Sequence, residues 1–167
     1  MIDLEEVISW ARKHAQEYGA DPSTLFVACS SAGGHMSSVA PLTPGKPAFQ
    51  PGFEEADTSV SGVVVLNGFL GAYWHQGAES SPMGHARPDA PPVLIVHGDL
   101  DPCVPAADIR EVADGLLDAS DNPVVHAELR GGHNAFALYH SLRFEAVVDA
   151  VEAVTAWVRS QERSHRA

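Results

Sequence analysis

Apolar residues fall into two periods along this chain. Leu4, Val7, Ile8, Ala11 and Ala15 recur at helical spacing and predict a first helix that ends near Gly19, ahead of an Asp21-Pro22 turn. Residues 25–29, Leu-Phe-Val-Ala-Cys, are a short apolar run and read as a buried strand. Small residues from Ser30 to Gly34 follow, and a second helix runs to about Ala40. Residues 41–57 are rich in Pro and Gly and read as a long surface loop. Residues 60–66 predict a second strand with three consecutive valines, and residues 92–97 a third. Between them, residues 68–91 show little periodicity. Residues 105–119 predict a helix with Ile109, Val112, Leu116 and Leu117 on one side, and residues 123–129 a fourth strand. A long helix over 139–159 carries Val147, Ala150, Val151, Val154, Trp157 and Val158 on one face.

Apolar strands alternating with helices predict an α/β fold: a mostly parallel sheet of about four strands, flanked by helices on both faces. A chain of 167 residues suits one domain, taken here as residues 1–167. In such sheets the sites form beyond the carboxyl ends of the strands.

Charge narrows the partners. The formal net charge is −12, which repels nucleic acid and anionic membranes. No apolar run approaches the roughly 18 residues that span a bilayer. The opening Met1-Ile2-Asp3-Leu4-Glu5-Glu6 has acids where a signal peptide carries bases, so a cytoplasmic location is expected. Cys29 and Cys103 are too few for a disulfide framework and are expected as free thiols.

Three strand ends carry candidate chemistry. The first reads Cys29-Ser30-Ser31-Ala32-Gly33-Gly34. A serine on a strand-to-helix turn among tiny residues has the setting of a nucleophile elbow, close to G-x-S-x-G with Cys29 in the first Gly position. The backbone N–H of Ala32, at a helix start, is then a candidate oxyanion donor. The bland alternative is a Ser-Gly turn that only caps a helix. The third strand ends in His97-Gly98-Asp99-Leu100-Asp101-Pro102-Cys103-Val104-Pro105, where Asp101 is the candidate acid and Asp99 a turn residue. The fourth ends in Gly131-Gly132-His133-Asn134-Ala135-Phe136, where the glycines let the loop carry His133 over the sheet. Each signal alone is weak. Together they place Ser, Asp and His each just after a predicted strand, in the chain order expected of an α/β-hydrolase triad.

These segments resemble the motifs of bacterial esterases and lipases of the α/β-hydrolase superfamily, closest to the hormone-sensitive-lipase-like branch and its relatives. The resemblance covers roughly residues 3–160. It implies a serine-dependent carboxylic ester hydrolase acting on short-chain acyl esters, with Ser31 as nucleophile, His133 as base and Asp101 as the acid that orients it. It implies no metal or organic cofactor. Family members carry a His-Gly-Gly segment on an earlier strand, which this sequence lacks. The chain therefore resembles the C-terminal half of the fold, truncated of its first strands.

Other readings are set beside this one. His126, His133 and His140 recur every seven residues but fall on a strand, a loop and a helix, and no H-x-x-x-H or C-x-x-C motif supports a metal. Gly33-Gly34 lacks the Gly-Lys-Ser/Thr ending of a phosphate loop. His35 and His97 read as packing residues. Tyr73 and Trp74 are candidates for an acyl pocket. The alternatives to an esterase are a prolyl-oligopeptidase-like peptidase, or a weakly active fragment. In the latter, the exposed edge of the 25–29 strand would pair with another chain, most simply as a homodimer.

Overall fold

The computed structural model describes residues 1–71 and 77–166. Its regular elements are α1 (Ile2–His14), β1 (Phe26–Ser30), α2 (Ser31–Val39), β2 (Gly62–Leu66), β3 (Val93–Gly98), α3 (Ala106–Ala119), β4 (Val124–Leu129) and α4 (Leu142–Arg166). Short 3-10 turns lie between them, one of which, Ala15–Tyr18, continues α1 to Gly19. Gly19 stops it there: its φ of 71° is left-handed, where a residue without a side chain costs least.

The four strands form one parallel sheet in the order β1-β2-β3-β4. Register sets the faces. Cys29, Val65 and Ile95 lie side by side, as do Ala28, Val64 and Leu94, and the two rows point to opposite faces. On the first face Val63, Val65, Val93 and Ile95 pack against Ile109, Val112, Ala113 and Leu116 of α3, while Ile8 of α1 packs with Val27 and Ala40. On the second face Val64, Leu94 and Val96 pack against Phe136 of the 3-10 turn Asn134–Ala137 and Val147 of α4. All of β3 is buried, as a strand covered on both faces must be. Burying each such aliphatic side chain contributes about 1.5–3 kcal/mol.

Three expectations are corrected. The 41–57 segment is no mere surface loop: Pro41, Leu42, Thr43 and Gln50 are buried. Burial is tolerable because the segment hydrogen-bonds itself. The Gln50 amide donates to the Phe53 and Ala56 carbonyls at 3.2 and 3.0 Å, and the Thr58 hydroxyl donates to Gln50 Oε1 at 3.2 Å. Leu117 is 54% exposed, since the buried positions Ile109, Val112, Ala113 and Leu116 already fill the helix stripe facing the sheet. Finally, β1 is not buried throughout. Ala28 and Ser30 are exposed, because α4 covers β2 and β3 but not β1 on their face. Among the described residues, β1 also has no strand on its outer side. No described helix is long and apolar enough to cross a membrane.

Candidate active site

Because the sheet is parallel, the segments after β1, β3 and β4 all emerge at one edge, and these carry Ser31, Asp101 and His133. β2 separates β1 from β3, so the axes of these two strands lie about 10 Å apart, and the segments that follow them must lean across β2 to meet.

Ser31 is the first residue of α2 and has φ +53°. A non-glycine residue there costs on the order of 1–2 kcal/mol, so the surrounding packing must hold it in place. That packing is legible. A Cβ on Gly33 would come within 3.2 Å of Cys29 Cβ, so the bulk of Cys29 is matched by the missing side chain at 33. A Cβ on Gly34 would meet Gly68 Cα at 2.7 Å, so α2 sits directly on the chain leaving β2. The elbow thus keeps its turn with Cys29 where the usual pattern has glycine. Ser30, at the N-cap, makes no side-chain capping bond, which argues against the bland capping role. Ser31 and Ala32 are both exposed, and Ala32 lies in the first turn of α2, whose N–H groups have no acceptor within the helix. Under the elbow, His35 is buried. Its Nδ1 lies 3.0 Å from the Phe69 carbonyl and its ring stacks on Phe69. Burial holds its pKa below the usual imidazole value, with the Phe69 carbonyl opposing the shift.

The acid and base loops are stitched together by backbone. Leu100 N–H donates to the Gly132 carbonyl at 2.9 Å, and Asp99 N–H to Leu129 at 3.2 Å. Contact is so close that a Cβ on Gly98 would lie 2.4 Å from the Gly132 oxygen. The Asp99 carboxylate accepts the Gly131 N–H at 2.6 Å and so serves the stitching. Asp101 is buried. Its Oδ1 accepts the N–H groups of Cys103 and Val104 at 2.8 and 3.0 Å, and its Oδ2 accepts Asn134 Nδ2 at 2.9 Å. His97, fully buried, lies 3.6 Å from that same Oδ2 and 3.0 Å from the Val104 carbonyl, a packing role as expected. His133 is exposed, and its Nδ1 lies 3.1 Å from the Leu100 carbonyl. The fold therefore brings the loops of Asp101 and His133 together while giving each side chain a different hydrogen-bond partner.

Tyr73 and Trp74 lie outside the described residues. Ala32 instead lines a cleft of about 690 Å³ together with His35, Met36, Val39, Lys46 and Phe49, among others. Two residues escaped sequence reasoning. Asn134 had no pattern to mark it. Asn67, with φ +42° and its Oδ1 buried without a hydrogen-bond partner among the described residues, directly follows β2, the strand between β1 and β3. The Asn67-Gly68 pair after an apolar run was its only signal. Both cysteines are free. His140 pairs with Glu145 at 3.0 Å, apart from His126 in β4.

Comparison with known proteins gives concordant matches. A family model described as BD-FAE matches residues 1–72, and an α/β-hydrolase model described as TAP-like protein matches residues 58–152. The probable carboxylic ester hydrolase LipM of Mycobacterium tuberculosis is 36% identical over 98% of this chain and 44% of its own length. Esterase LipQ of the same organism is 32% identical over 90% of this chain and 42% of its own. The chain thus spans less than half the length of these relatives. Among solved structures, esterase 2 of Thermogutta terrifontis with butyrate bound superposes with a TM-score of 0.81. That match has 21% identity and covers 94% of this chain and 64% of the esterase.

Proposed function

This chain belongs to the α/β-hydrolase superfamily, and from that premise we propose that it is a serine-dependent carboxylic ester hydrolase of short-chain acyl esters. The observation that carries the reading is the left-handed backbone of Ser31 at the β1–α2 junction. A strained residue, exposed at the carboxyl edge of a parallel sheet and propped by two glycine contacts, is suited to presenting a hydroxyl to a substrate. The naming of LipM and LipQ as ester hydrolases supports the same chemistry, and the butyrate of the superposable esterase supports short acyl groups.

In this reading Ser31 Oγ attacks the ester carbonyl carbon while His133 Nε2 takes its proton. The carbonyl oxygen becomes an oxyanion that accepts the Ala32 N–H. The tetrahedral adduct then collapses, its C–O bond to the alcohol breaks, and His133 returns the proton to the departing alkoxide. Water, deprotonated by the same imidazole, hydrolyses the acyl-Ser31. Asp101 stabilises the imidazolium formed in each half. The Leu100 carbonyl can only accept, so His133 carries its proton on Nδ1 and leaves Nε2 bare, the tautomer a base needs.

A serine-directed phosphonate should label Ser31, and Ser31→Ala should lower p-nitrophenyl acetate turnover by at least about a thousandfold. Ser30→Ala should leave most of it. Mass spectrometry placing the label on Ser30 would overturn the assignment.

A second reading concerns assembly and rests on β1. Its outer edge is unpaired among the described residues, and Ala28 and Ser30 are exposed beside it. Unpaired strand edges invite pairing, and a two-fold homodimer is the simplest closed form. Light scattering on the 167-residue chain should give twice the monomer mass. A monomer at high concentration would sink this reading.

A further inference from the structure

The hydrogen bonds around Asp101 are those of a triad held open. Of its two oxygens, Oδ1 is taken by two backbone N–H groups of its own loop, so only Oδ2 can receive an imidazole. Oδ2 already accepts Asn134 Nδ2 at 2.9 Å. An ionised carboxylate only accepts, so the amide nitrogen must be the atom facing it. His133, the residue before Asn134, meanwhile has Nδ1 on the Leu100 carbonyl at 3.1 Å. Two adjacent side chains thus divide two acceptors of one loop, and the less reactive one holds the carboxylate.

Resting on the triad reading above, we propose that Asn134 is a positioning residue that competes with His133 for Asp101 Oδ2. The Asn134–Asp101 bond is exchanged for a His133–Asp101 bond as His133 takes up the Ser31 proton. Gly132 is clamped, since its carbonyl accepts Leu100 N–H and a Cβ on it would lie 2.8 Å from the Leu129 oxygen and 3.0 Å from Gly98 Cα. With the chain before His133 so fixed, the exchange is assigned to the side chains at 133 and 134. Its direction follows from charge. While His133 is neutral, replacing Asn134 on Oδ2 trades one neutral N–H donor for another, and little is gained. Once it takes the Ser31 proton, imidazolium and carboxylate are both charged, and their Coulombic attraction adds to a hydrogen bond that the uncharged Leu100 carbonyl cannot match. The resting arrangement keeps the imidazole in the right tautomer, and the developing charge recruits the acid.

The test uses the full chain, p-nitrophenyl acetate and low-field proton NMR. Asn134→Ala and Asn134→Leu cannot donate to Oδ2. Both should raise kcat about three- to tenfold, the scale of one ordinary hydrogen bond, with KM within about twofold. Asn134→Gln, which keeps an amide, should stay near the parent. The strongly low-field Nδ1–H resonance of a His–Asp pair should be missing from the parent and present in Asn134→Leu. A fall in kcat in both variants, or that resonance at full intensity in the parent, overturns the proposal. His133→Ala separates the two levels: if it retains parental activity, the triad reading itself fails, whereas if it is inactive that reading stands and the Asn134 variants decide the exchange. The parent spectrum settles the exchange even if a variant fails to fold.

Discussion

The elbow and the acid–base loops meet at one edge of the sheet but are built by opposite means. At the elbow, backbone contact leaves no choice: Ser31 is held at φ +53° by Gly33 against Cys29 and Gly34 against Gly68. At the acid–base loops the backbone is equally tight, with Gly98 against Gly132, yet the side chains above it choose between acceptors. Sterics decide the first region, with penalties of about 1–3 kcal/mol for each contact that must give. Hydrogen-bond preference decides the second, with net differences of about 1 kcal/mol. Ser31 is consequently held in one backbone geometry, while the side chains of Asp101 and His133 are held only by hydrogen bonds that can be exchanged.

The largest expected effect breaks that contrast at the acid. Asp101→Asn should lower turnover by as much as about 10⁴-fold, because the imidazolium loses its counter-charge. Asp99→Asn should cost less than about tenfold, since asparagine still offers the Gly131 N–H an oxygen acceptor and loses only the charge. Parallel assays with p-nitrophenyl acetate check the ranking, and the reverse order would move the acid to Asp99.

The next effect strikes the elbow through packing. Gly34→Ala puts a methyl 2.7 Å from Gly68 Cα, where only backbone movement can relieve it. Denaturant unfolding should show a loss of about 1–3 kcal/mol, accompanied by slower phosphonate labelling of Ser31. Unchanged stability and labelling would mean that the elbow does not depend on this contact.

The smallest effect is a pH dependence on the elbow side. Helix α1, which packs Ile8 on Val27 of β1, also buries Glu5 completely. Burial raises the Glu5 carboxyl pKa above its ordinary value of 4.5. The Thr58 hydroxyl opposes this only in part, because neither carboxylate oxygen reaches regular hydrogen-bond geometry. A raised acid binds its proton more tightly folded than unfolded. Its stabilisation is present below pH 4.5 and is lost as pH rises through the folded pKa. Glu5→Gln should therefore raise the Tm by a few degrees at pH 8 and converge with the parent below pH 4.5, as thermal melts at several pH values would show. A gain of the same size at every pH would rule out titration of Glu5 as the cause.

Much of this molecule is readable from its residues in order. Apolar runs located all four strands; the two inner ones, β2 and β3, are apolar apart from His97 because both of their faces are covered, and helical spacing located the helices. The chain order Ser, Asp, His after the first, third and fourth strands located the candidate residues, because a parallel sheet gathers the ends of its strands at one edge. Where the reading fell short, side-chain contacts that no periodicity encodes decided. Gln50 buries a Pro- and Gly-rich segment by answering its own loop carbonyls, which composition cannot reveal. Ala28 is exposed although its strand reads as buried, because burial depends on where α4 lies. Local chain chemistry thus determined the elements and the candidate residues. Only the tertiary structure decided that Asp101 bonds Asn134 while His133 bonds Leu100, since that choice lies between acceptors 33 residues away in sequence, whose strengths differ by little more than thermal energy.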